Sequence, residues 1–311
     1  MKAGRQPLPG SPLWVRLCSG IIRTLPAGRY KAIHVLSRFT PPQFVGSWTD
    51  DDCEIRFVCD LRDMITREVC FAGVYEPHIS AMLRLLLGPP ATFVDVGANW
   101  GYFTLLSSKL VGSEGRVISI EPDPRVFPVL EQNVALNNLT NVECFQQAAS
   151  DGPGTVTLYG YDESTDNWGR SSISPGRESD VAFEVQAVPL DELLQTAGRI
   201  DVMKMDIEGA EAKAVPGCES LLREARIGVL LLEFHPQEIE RLGQSVDSLT
   251  EILRAHGYRG HVIDDSLAAT REFAYRRRVN PDVLLSPYRE GMNLNERPQT
   301  IWTAPGVKLP F

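Results

Sequence analysis

Two apolar runs in the second half of the chain end in charged side chains of the kinds that transfer protons. Lys204 and Asp206 end the first run, and Glu233 and His235 end the second. If both runs are parallel strands, their carboxyl ends face one ligand crevice. A histidine there can act as the general base on a hydroxyl, because its pKa lies near neutrality. In the alternative, Asp206 and Glu233, with or without His235, bind Mg²⁺, which lowers the pKa of a coordinated hydroxyl.

A glycine-spaced turn in the first half of the chain could bind a cofactor. Asp95 lies near the end of an apolar run, and Gly97, Asn99 and Gly101 follow, ahead of apolar residues at helical spacing. Glycines let backbone N–H groups approach a ligand, and a helix N-terminus favours negative charge, so a ligand carboxylate or pyrophosphate could sit there. The turn reads G-x-N-x-G without a glycine at the sixth place, which disfavours the dinucleotide pattern G-x-G-x-x-G.

Other candidate cofactor residues flank this turn in the sequence. Glu121 closes the next apolar run, 24 residues after Gly97. A βαβ unit places a carboxylate near this spacing, where it accepts hydrogen bonds from both ribose hydroxyls. Tyr75 and Glu76 precede the turn and are candidates for the mouth of the cofactor site, with a purely structural turn as the alternative.

A polar connection over 162–182 separates two stretches that are rich in β-formers. It contains Asn167, Trp168, Gly169 and Arg170. Long connections within compact domains are usually functional or disordered. The tryptophan and the arginine favour a lid over the substrate.

Composition limits the classes of partner and the compartment. The chain has 311 residues and a formal net charge of −9. Nucleic-acid binding is not expected, because neutralising phosphates takes basic patches. The six cysteines show neither a C-x-x-C pair nor clustering with histidines, so no zinc site or disulfide framework is predicted. Reduced thiols in the cytoplasm fit best.

The first 49 residues differ from the rest in charge. They contain seven basic side chains and no acidic one, so the remainder of the chain carries −16. Their apolar residues are interrupted by Arg, Gly and Pro, and the pattern suits neither a membrane span nor a clear signal peptide. We expect a pair of short helices that pack on the domain, with weak attachment to an anionic membrane surface as the alternative.

Taken in order, these motifs resemble the FkbM family of S-adenosylmethionine (SAM)-dependent methyltransferases. The resemblance covers roughly residues 52–286, and it is specific because several motifs occur together. They are Tyr75-Glu76-Pro77, the stretch 95–102, Glu121-Pro122 followed by Asn133 and Asn137, Leu190-Asp191-Glu192-Leu193, the stretch 204–211, and Leu232-Glu233-Phe234-His235-Pro236.

The resemblance implies the class I SAM-methyltransferase fold, an α/β Rossmann-like sheet of seven strands with helices on both faces and an antiparallel last strand. We expect a basic helical extension over 1–50, the methyltransferase domain over 51–286 and an irregular tail over 287–311. The last two strands are expected at His261–Ile263 and Asp282–Leu285.

The resemblance also implies roles for site residues. Asp95 would lie near the methionine ammonium of SAM, and the loop after the third strand would meet the adenine through Ser150 or Asp151, with a plain turn as the alternative. The cofactor set is then Asp95, Gly97, Asn99, Gly101, Glu121 and Asp151, with Tyr75 and Glu76 at the mouth. The catalytic set is His235, Glu233, Asp206 and Lys204.

The implied reaction is O-methylation of a hydroxyl on a sugar, a glycolipid or a polyketide-type small molecule. The resemblance does not itself require a metal. Two other functions stay open: an NAD-dependent oxidoreductase on a similar sheet, and a catalytically inactive SAM-fold module that binds a partner.

Overall fold

The computed structural model describes residues 8–24, 29–36, 43–50, 53–162, 170–174, 181–263, 285–289, 292, 294 and 299–310. The strands are β1 (Phe44–Asp50), β2 (Cys53–Cys59), β3 (Thr92–Val96), β4 (Arg116–Ile120), β5 (Val142–Phe145), β6 (Ala148–Ser150), β7 (Gly154–Gly160), β8 (Ser171–Ser172), β9 (Val181–Pro189), β10 (Ile200–Met205), β11 (Ile227–Glu233), β12 (Arg259–Ile263), β13 (Leu285–Pro287) and β14 (Gln299–Thr303). The helices are α1 (Leu13–Thr24), α2 (Arg29–Leu36), α3 (Met64–Ala72), α4 (Pro77–Leu86), α5 (Tyr102–Leu110), α6 (Phe127–Leu136), α7 (Leu190–Leu193), α8 (Glu211–Ala214), α9 (Glu219–Arg223), α10 (Pro236–Arg241) and α11 (Val246–Ala255), with a 3₁₀ turn at Pro216–Cys218.

The central sheet confirms the predicted fold class. Among the described residues it has eight strands, in the order β13-β12-β14-β11-β10-β3-β4-β5. The five strands from β11 to β5 run parallel and are mostly buried, as expected for apolar strands covered by helices on both faces. The chain moves outward from β3 to β5 on one side and from β10 to β11 on the other. The switch point between β3 and β10 therefore opens a crevice at the carboxyl ends of the strands.

The last strand of the sheet lies in a different part of the chain from the one we predicted. β14 inserts between β11 and β12 and is antiparallel to both, and the Trp302 side chain is fully buried. The expected irregular tail over 287–311 is therefore wrong for Gln299–Thr303. The predicted sixth strand is confirmed as β12. Of the predicted strand Asp282–Leu285, only Leu285 is described, and it begins the short edge strand β13.

A second sheet covers the carboxyl edge of the first. Its order is β6-β9-β7-β8, and it starts directly after β5. β7 and β9 form an antiparallel hairpin whose connection includes the predicted lid. Asn167, Trp168 and Gly169 lie outside the described residues, whereas Arg170 and β8 are described.

The N-terminal segment joins the domain rather than preceding it. β1 pairs with β2 as an antiparallel hairpin, so a domain boundary at residue 50 would cut that hairpin. Phe44 and Trp48 are buried in the main core, as are Val15 and Ile22 of α1. α1 and α2 therefore form the expected helix pair packed on the domain. None of the helices in the described ranges is long and apolar enough to cross a membrane.

Asn133 fastens the hairpin to the cofactor turn. Its side-chain Oδ1 accepts a hydrogen bond from the Val58 N–H at 2.7 Å, and its Nδ2 donates to the Trp100 carbonyl at 2.7 Å. Asn137, one helical turn later, makes the same kind of paired contact with the backbone of Arg56. These contacts explain the structural role of Asn133 and Asn137, the two asparagines that follow Glu121-Pro122 in the family motifs.

We predict that Asn133→Ala lowers the free energy of unfolding by about 2–4 kcal/mol, since each buried backbone group left without a partner costs about 1–3 kcal/mol. Denaturant unfolding measures the loss. The control is Gln132→Ala on the same helix, where the partly exposed side chain makes the cost small. Equal losses for both variants would contradict the fastening role.

Candidate active site

One cavity of about 270 Å³ lies at the switch point of the sheet. Its walls come from the turn after β3, the end of β4, the loop into β6, and the ends of β10 and β11, with β8 and the start of α3 on the outer side. Nine of the residues predicted as site residues line it: Tyr75, Glu76, Gly97, Asn99, Glu121, Lys204, Asp206, Glu233 and His235. The parallel strands thus bring together side chains that are far apart in sequence.

The glycine turn is held in shape by the protein itself. Gly97, Asn99 and Gly101 all have positive φ angles, of 83°, 51° and 96°. The N–H groups of Gly97 and Ala98 donate to the Ile120 carbonyl, and the N–H of Gly101 donates to the Ala98 carbonyl. The remaining two N–H groups of the stretch 97–101 donate to side chains. A pyrophosphate would find none of these five donors unpaired, which argues against a dinucleotide.

Glu121 links this turn to the loop after β4. Its Oε2 accepts from the Asn99 N–H and its Oε1 accepts from the Asp123 N–H, both at 2.8 Å. Burial raises the pKa of Glu121 to about 8; the hydrogen bond from the Asp123 N–H opposes this rise, and the charge of the Asp123 carboxylate adds to it. Each carboxylate oxygen keeps a second lone pair. The carboxylate therefore positions the turn and can still accept hydrogen bonds from a ligand in the cavity.

Asp95 lies behind the cavity wall and is almost completely buried. Its Oδ2 accepts from the Thr104 hydroxyl at 2.7 Å, whereas its Oδ1 has no hydrogen-bond partner among the described residues. Burial raises the pKa of Asp95, and Lys204 opposes that rise. β3 pairs with β10 so that Asp95 stands opposite Lys204. Asp95 therefore does not line the cavity, and it supports the turn and the start of α5 from behind.

Asp151 does not line the cavity. Its carboxylate forms an ion pair with Lys213 at 2.9 Å, and its side chain is 45% exposed. Hydrogen bonding to Lys213 lowers the pKa of Asp151 despite the opposing effect of partial burial. The loop after β5 instead reaches the cavity through Gln147, Ala148 and Ala149.

Acidic side chains are concentrated on the other side of the cavity. Carboxylate oxygens of Glu76, Asp206 and Glu233 lie within 4.8 Å of one another, and the same holds for ligand atoms of Asp206, Glu208 and His235. Glu76 has a positive φ of 38° and a buried, unpaired Oε2 among the described residues. Burial and the charge of Glu233 hold the pKa of Glu76 well above its usual range.

Lys204 supplies a buried positive charge to this acidic group. Its Nζ lies 3.0 Å from Asp206 Oδ2 and 4.8 Å from the centre of the Phe103 ring. Burial acts to lower the pKa of Lys204, but Asp206, Glu76 and Asp95 together raise it. The charge of Lys204 in turn keeps the pKa of Asp206 below its usual range, against the effect of burial.

His235 faces three carboxylates. Its Nε2 lies 3.6 Å from Glu208 Oε2 and 3.9 Å from Glu233 Oε1, and its Nδ1 lies 3.9 Å from Glu211 Oε1. Burial acts to lower the pKa of His235, but the carboxylates, led by Glu211, raise it. Burial raises the pKa values of both Glu211 and Glu233 to about 7.

Three residues outside the predicted catalytic and cofactor sets support this side of the cavity. Arg170 holds Glu208 through two parallel hydrogen bonds, at 2.6 and 2.7 Å. Gln299 donates to Glu233 Oε2 at 3.0 Å and is hydrogen-bonded to His78. Glu211 lies within the motif at 204–211, so that motif could have pointed to it. Gln299 had no such signal, because its strand was expected to be an irregular tail.

Comparison with known proteins identifies the class of this site. The sequence profile described as "Methyltransferase FkbM domain" matches residues 95–259, more than half of the chain. The chain therefore belongs to the FkbM methyltransferase family. It is a SAM-dependent methyltransferase with a Rossmann-like fold, and the resemblance inferred from the motifs is confirmed.

Curated relatives are similar at modest identity. Methyltransferase sdnD of Sordaria araneosa is 26% identical over 204 residues, which cover 56% of this chain and 78% of that protein. AMB antimetabolite synthetase AmbE of Pseudomonas aeruginosa is 24% identical over 235 residues, or 64% of this chain, but the match spans only 11% of that protein. Methyltransferase 1 of Beauveria bassiana is 28% identical over 145 residues, which cover 40% of this chain and 57% of that protein.

Solved structures of methyltransferases also overlap with the chain. Precorrin-6y C5,15-methyltransferase of Geobacter metallireducens GS-15 has 14% identity and a TM-score of 0.36, over 73% of this chain and 86% of that one. Fibrillarin of Aeropyrum pernix, solved with bound SAM, has 13% identity and a TM-score of 0.39, over 74% of this chain and 76% of that one.

We predict that Gly97→Ala weakens the binding of S-adenosylhomocysteine, the demethylated product, at least tenfold, which corresponds to about 1.4 kcal/mol. An added Cβ would lie 2.0 Å from the Asp206 carbonyl oxygen at a φ of +83°, so the junction of β3 and β10 must shift. Isothermal calorimetry measures the affinity, and circular dichroism checks the fold.

The matched control is Gly88→Ala, where an added Cβ meets no heavy atom within 4 Å. This variant should keep the affinity of the unmodified protein. A Gly97→Ala protein that binds as tightly as the control would contradict the packing described for the turn.

Proposed function

We propose that this methyltransferase acts on oxygen and methylates a hydroxyl of a small molecule or glycan. The observation that carries the proposal is His235, which lines the cavity with three carboxylates within 3.6–3.9 Å of its ring nitrogens. An alcohol is a poor nucleophile until it loses its proton, so its methylation needs a base on the acceptor side of the cavity. Carboxylates beside an imidazole stabilise the protonated ring and make it a stronger base.

The cofactor side of the cavity supports a SAM site. When bound, SAM supplies a methyl group on a positively charged sulfur. The surplus of acidic groups at the cavity suits a ligand with two positive charges, one of them an ammonium. We assign the turn of Gly97, Asn99 and Gly101 to the methionine end and Glu121 to the ribose hydroxyls. We reassign the adenine contact from Asp151 to the cavity wall at residues 147–149, because Asp151 pairs with Lys213 and does not line the cavity.

On the acceptor side, carboxylates surround His235, and other side chains hold two of those carboxylates in place. In our proposal His235 takes the proton of the hydroxyl, and Glu208, Glu211 and Glu233 stabilise the imidazolium that results. Arg170 restrains Glu208, and Gln299 restrains Glu233. Holding the base and the acceptor oxygen in place contributes to catalysis in its own right, since positioning can supply about 7–11 kcal/mol of a reaction barrier.

The outer wall of the cavity supports a compact acceptor. Arg170, Ser171, Ser172 and Ile173 line the outer wall of the cavity, and the Ser172 hydroxyl donates to the Glu208 carbonyl at 2.6 Å. This wall borders a cavity of about 270 Å³, part of which the cofactor must occupy. A sugar hydroxyl or a polyketide-type alcohol fits such a space better than a folded nucleic acid, and the net charge of −9 agrees.

A metal-dependent mechanism is the second candidate, and the two oxygen-rich sets around Asp206 favour it. In that mechanism Mg²⁺, bound by Asp206 and Glu233 with Glu76 as a further ligand, would lower the pKa of the acceptor hydroxyl. Lys204 weighs against it, because its ammonium already lies 3.0 Å from Asp206 and balances part of the acidic charge. We therefore rank the histidine base first.

The test is methyl transfer from radiolabelled SAM to a panel of sugar, glycolipid and polyketide alcohols, over a range of pH. The raised pKa of His235 means that the neutral, active ring is depleted at acidic pH. We expect kcat/KM to rise with pH and level off above that pKa. His235→Ala should lose about 10²–10⁴-fold in kcat together with the rising limb, and should keep its affinity for S-adenosylhomocysteine.

The control is His256→Ala, whose imidazole lies against Glu219 and the Ile252 carbonyl, away from the cavity. It should retain full activity. An active His235→Ala enzyme would exclude this base. Activity that EDTA removes and Mg²⁺ restores would favour the metal mechanism, and transfer to amines alone would overturn O-methylation.

A further inference from the structure

α1 is seated on the domain by one face and exposes large aliphatic side chains on another. Val15 and Ile22 are buried in the core, and the Ser19 hydroxyl donates to the Cys70 carbonyl of α3 at 3.1 Å. On the outer face Leu13, Leu17 and Ile21 are 70%, 61% and 63% exposed. Spacings of four residues place these three side chains in one stripe along the helix.

Such a stripe is unusual on this molecule. The large hydrophobic residues that are exposed in the described ranges are these three and Val35, and Val35 lies on the neighbouring helix α2. All four therefore fall within the first 36 residues of the chain. Concentrated apolar exposure of this kind marks an interaction surface rather than the scattered exposure normal for a folded protein.

The charge of the same segment indicates what the surface binds. Residues 1–49 carry seven basic side chains and no acidic one, whereas the rest of the chain carries −16. Arg16 is exposed on α1, three residues after Leu13, and Lys31 is exposed on α2. Aliphatic residues flanked by cations on one helix face suit the headgroup boundary of an anionic bilayer. A second copy of the chain would bring two positive segments face to face and repel.

We propose that α1 and α2 dock this protein on an anionic membrane surface, with Leu13, Leu17 and Ile21 inserted among the lipids and Arg16 and Lys31 at the headgroups. The docking surface is the outer face of these helices. It adds to the packing of their inner face on α3 and does not replace it.

The docking surface is connected to the cavity through α3. α1 packs along α3, and Met64 and Ile65 at the start of α3 line the cavity. Docking would keep the enzyme beside bilayer-resident alcohols, including glycolipids, so it narrows the acceptor class. That narrowing rests on the proposed function, whereas membrane binding can be measured without any acceptor and without SAM.

The experiment is co-sedimentation of the full chain with vesicles. The probes are vesicles of equal parts phosphatidylserine and phosphatidylcholine, and vesicles of phosphatidylcholine alone. We expect binding to the anionic vesicles, binding to the neutral ones at least tenfold weaker, and a loss of affinity in high salt. The double variant Leu17→Ser with Ile21→Ser should bind the anionic vesicles at least tenfold more weakly. Both side chains are exposed, so the fold should survive, and circular dichroism verifies this.

A charge-matched pair separates specific docking from general attraction. Arg16→Gln should weaken binding, whereas Arg259→Gln, an exposed arginine on β12, should not. The proposal is overturned if the unmodified protein ignores anionic vesicles, or if the double serine variant binds them equally well. It is also overturned if sedimentation shows a dimer that the double variant abolishes while vesicle binding is absent. Methyl transfer in the absence of vesicles would test the proposed function separately.

Discussion

The buried ammonium of Lys204 is the charge on which the arrangement of the active site depends. Asp206, Asp95, Glu76 and Glu233 all act on it. Without a cation at this position, several carboxylates in a closed space would be forced to take up protons, because burying a charge without a partner is costly. Lys204 lies at the centre of the sheet, opposite Asp95 in the strand register. It therefore connects the cofactor turn to the acidic side of the cavity through one side chain.

The elements around this charge form two groups: a framework of parallel strands, and other segments that complete the walls of the cavity. The framework is the edge formed by β3, β4, β10 and β11, where Glu121 ties two loops together and Gly97 leaves no room for a side chain. The walls come from other segments: Glu76 precedes the family match at residues 95–259, and Gln299 follows it. The second sheet supplies Arg170. The cavity and its supporting contacts thus combine residues within the match, such as Arg170 and His235, with residues on either side of it.

Local sequence patterns predicted the framework well. An apolar run that ends in charged residues is readable as a buried parallel strand, because its burial on both faces leaves polar residues only at its end. Glu121, Asp206, Glu233 and His235 were all found in this way.

The position of β14 could not be predicted from its sequence, since Gln299–Thr303 is short and its place is set by pairing with β11, about 70 residues away in sequence. The orientation of Asp151 depends on its ion pair with Lys213, and no local sequence pattern reveals that pair. β1 was not predicted because pairing with β2 determines its conformation.

The assignment of this cavity to SAM is tested most directly by the binding of S-adenosylhomocysteine and of NAD to the purified protein, measured by isothermal calorimetry with Glu121→Ala and Asp151→Ala as variants. We expect one site for S-adenosylhomocysteine and no binding of NAD. Glu121→Ala should lose about 1.5–3 kcal/mol of binding free energy, the value of hydrogen bonds to a charged acceptor, and Asp151→Ala should bind normally. Binding of NAD in place of S-adenosylhomocysteine, or an unaltered affinity in Glu121→Ala, would contradict the assignment of this cavity.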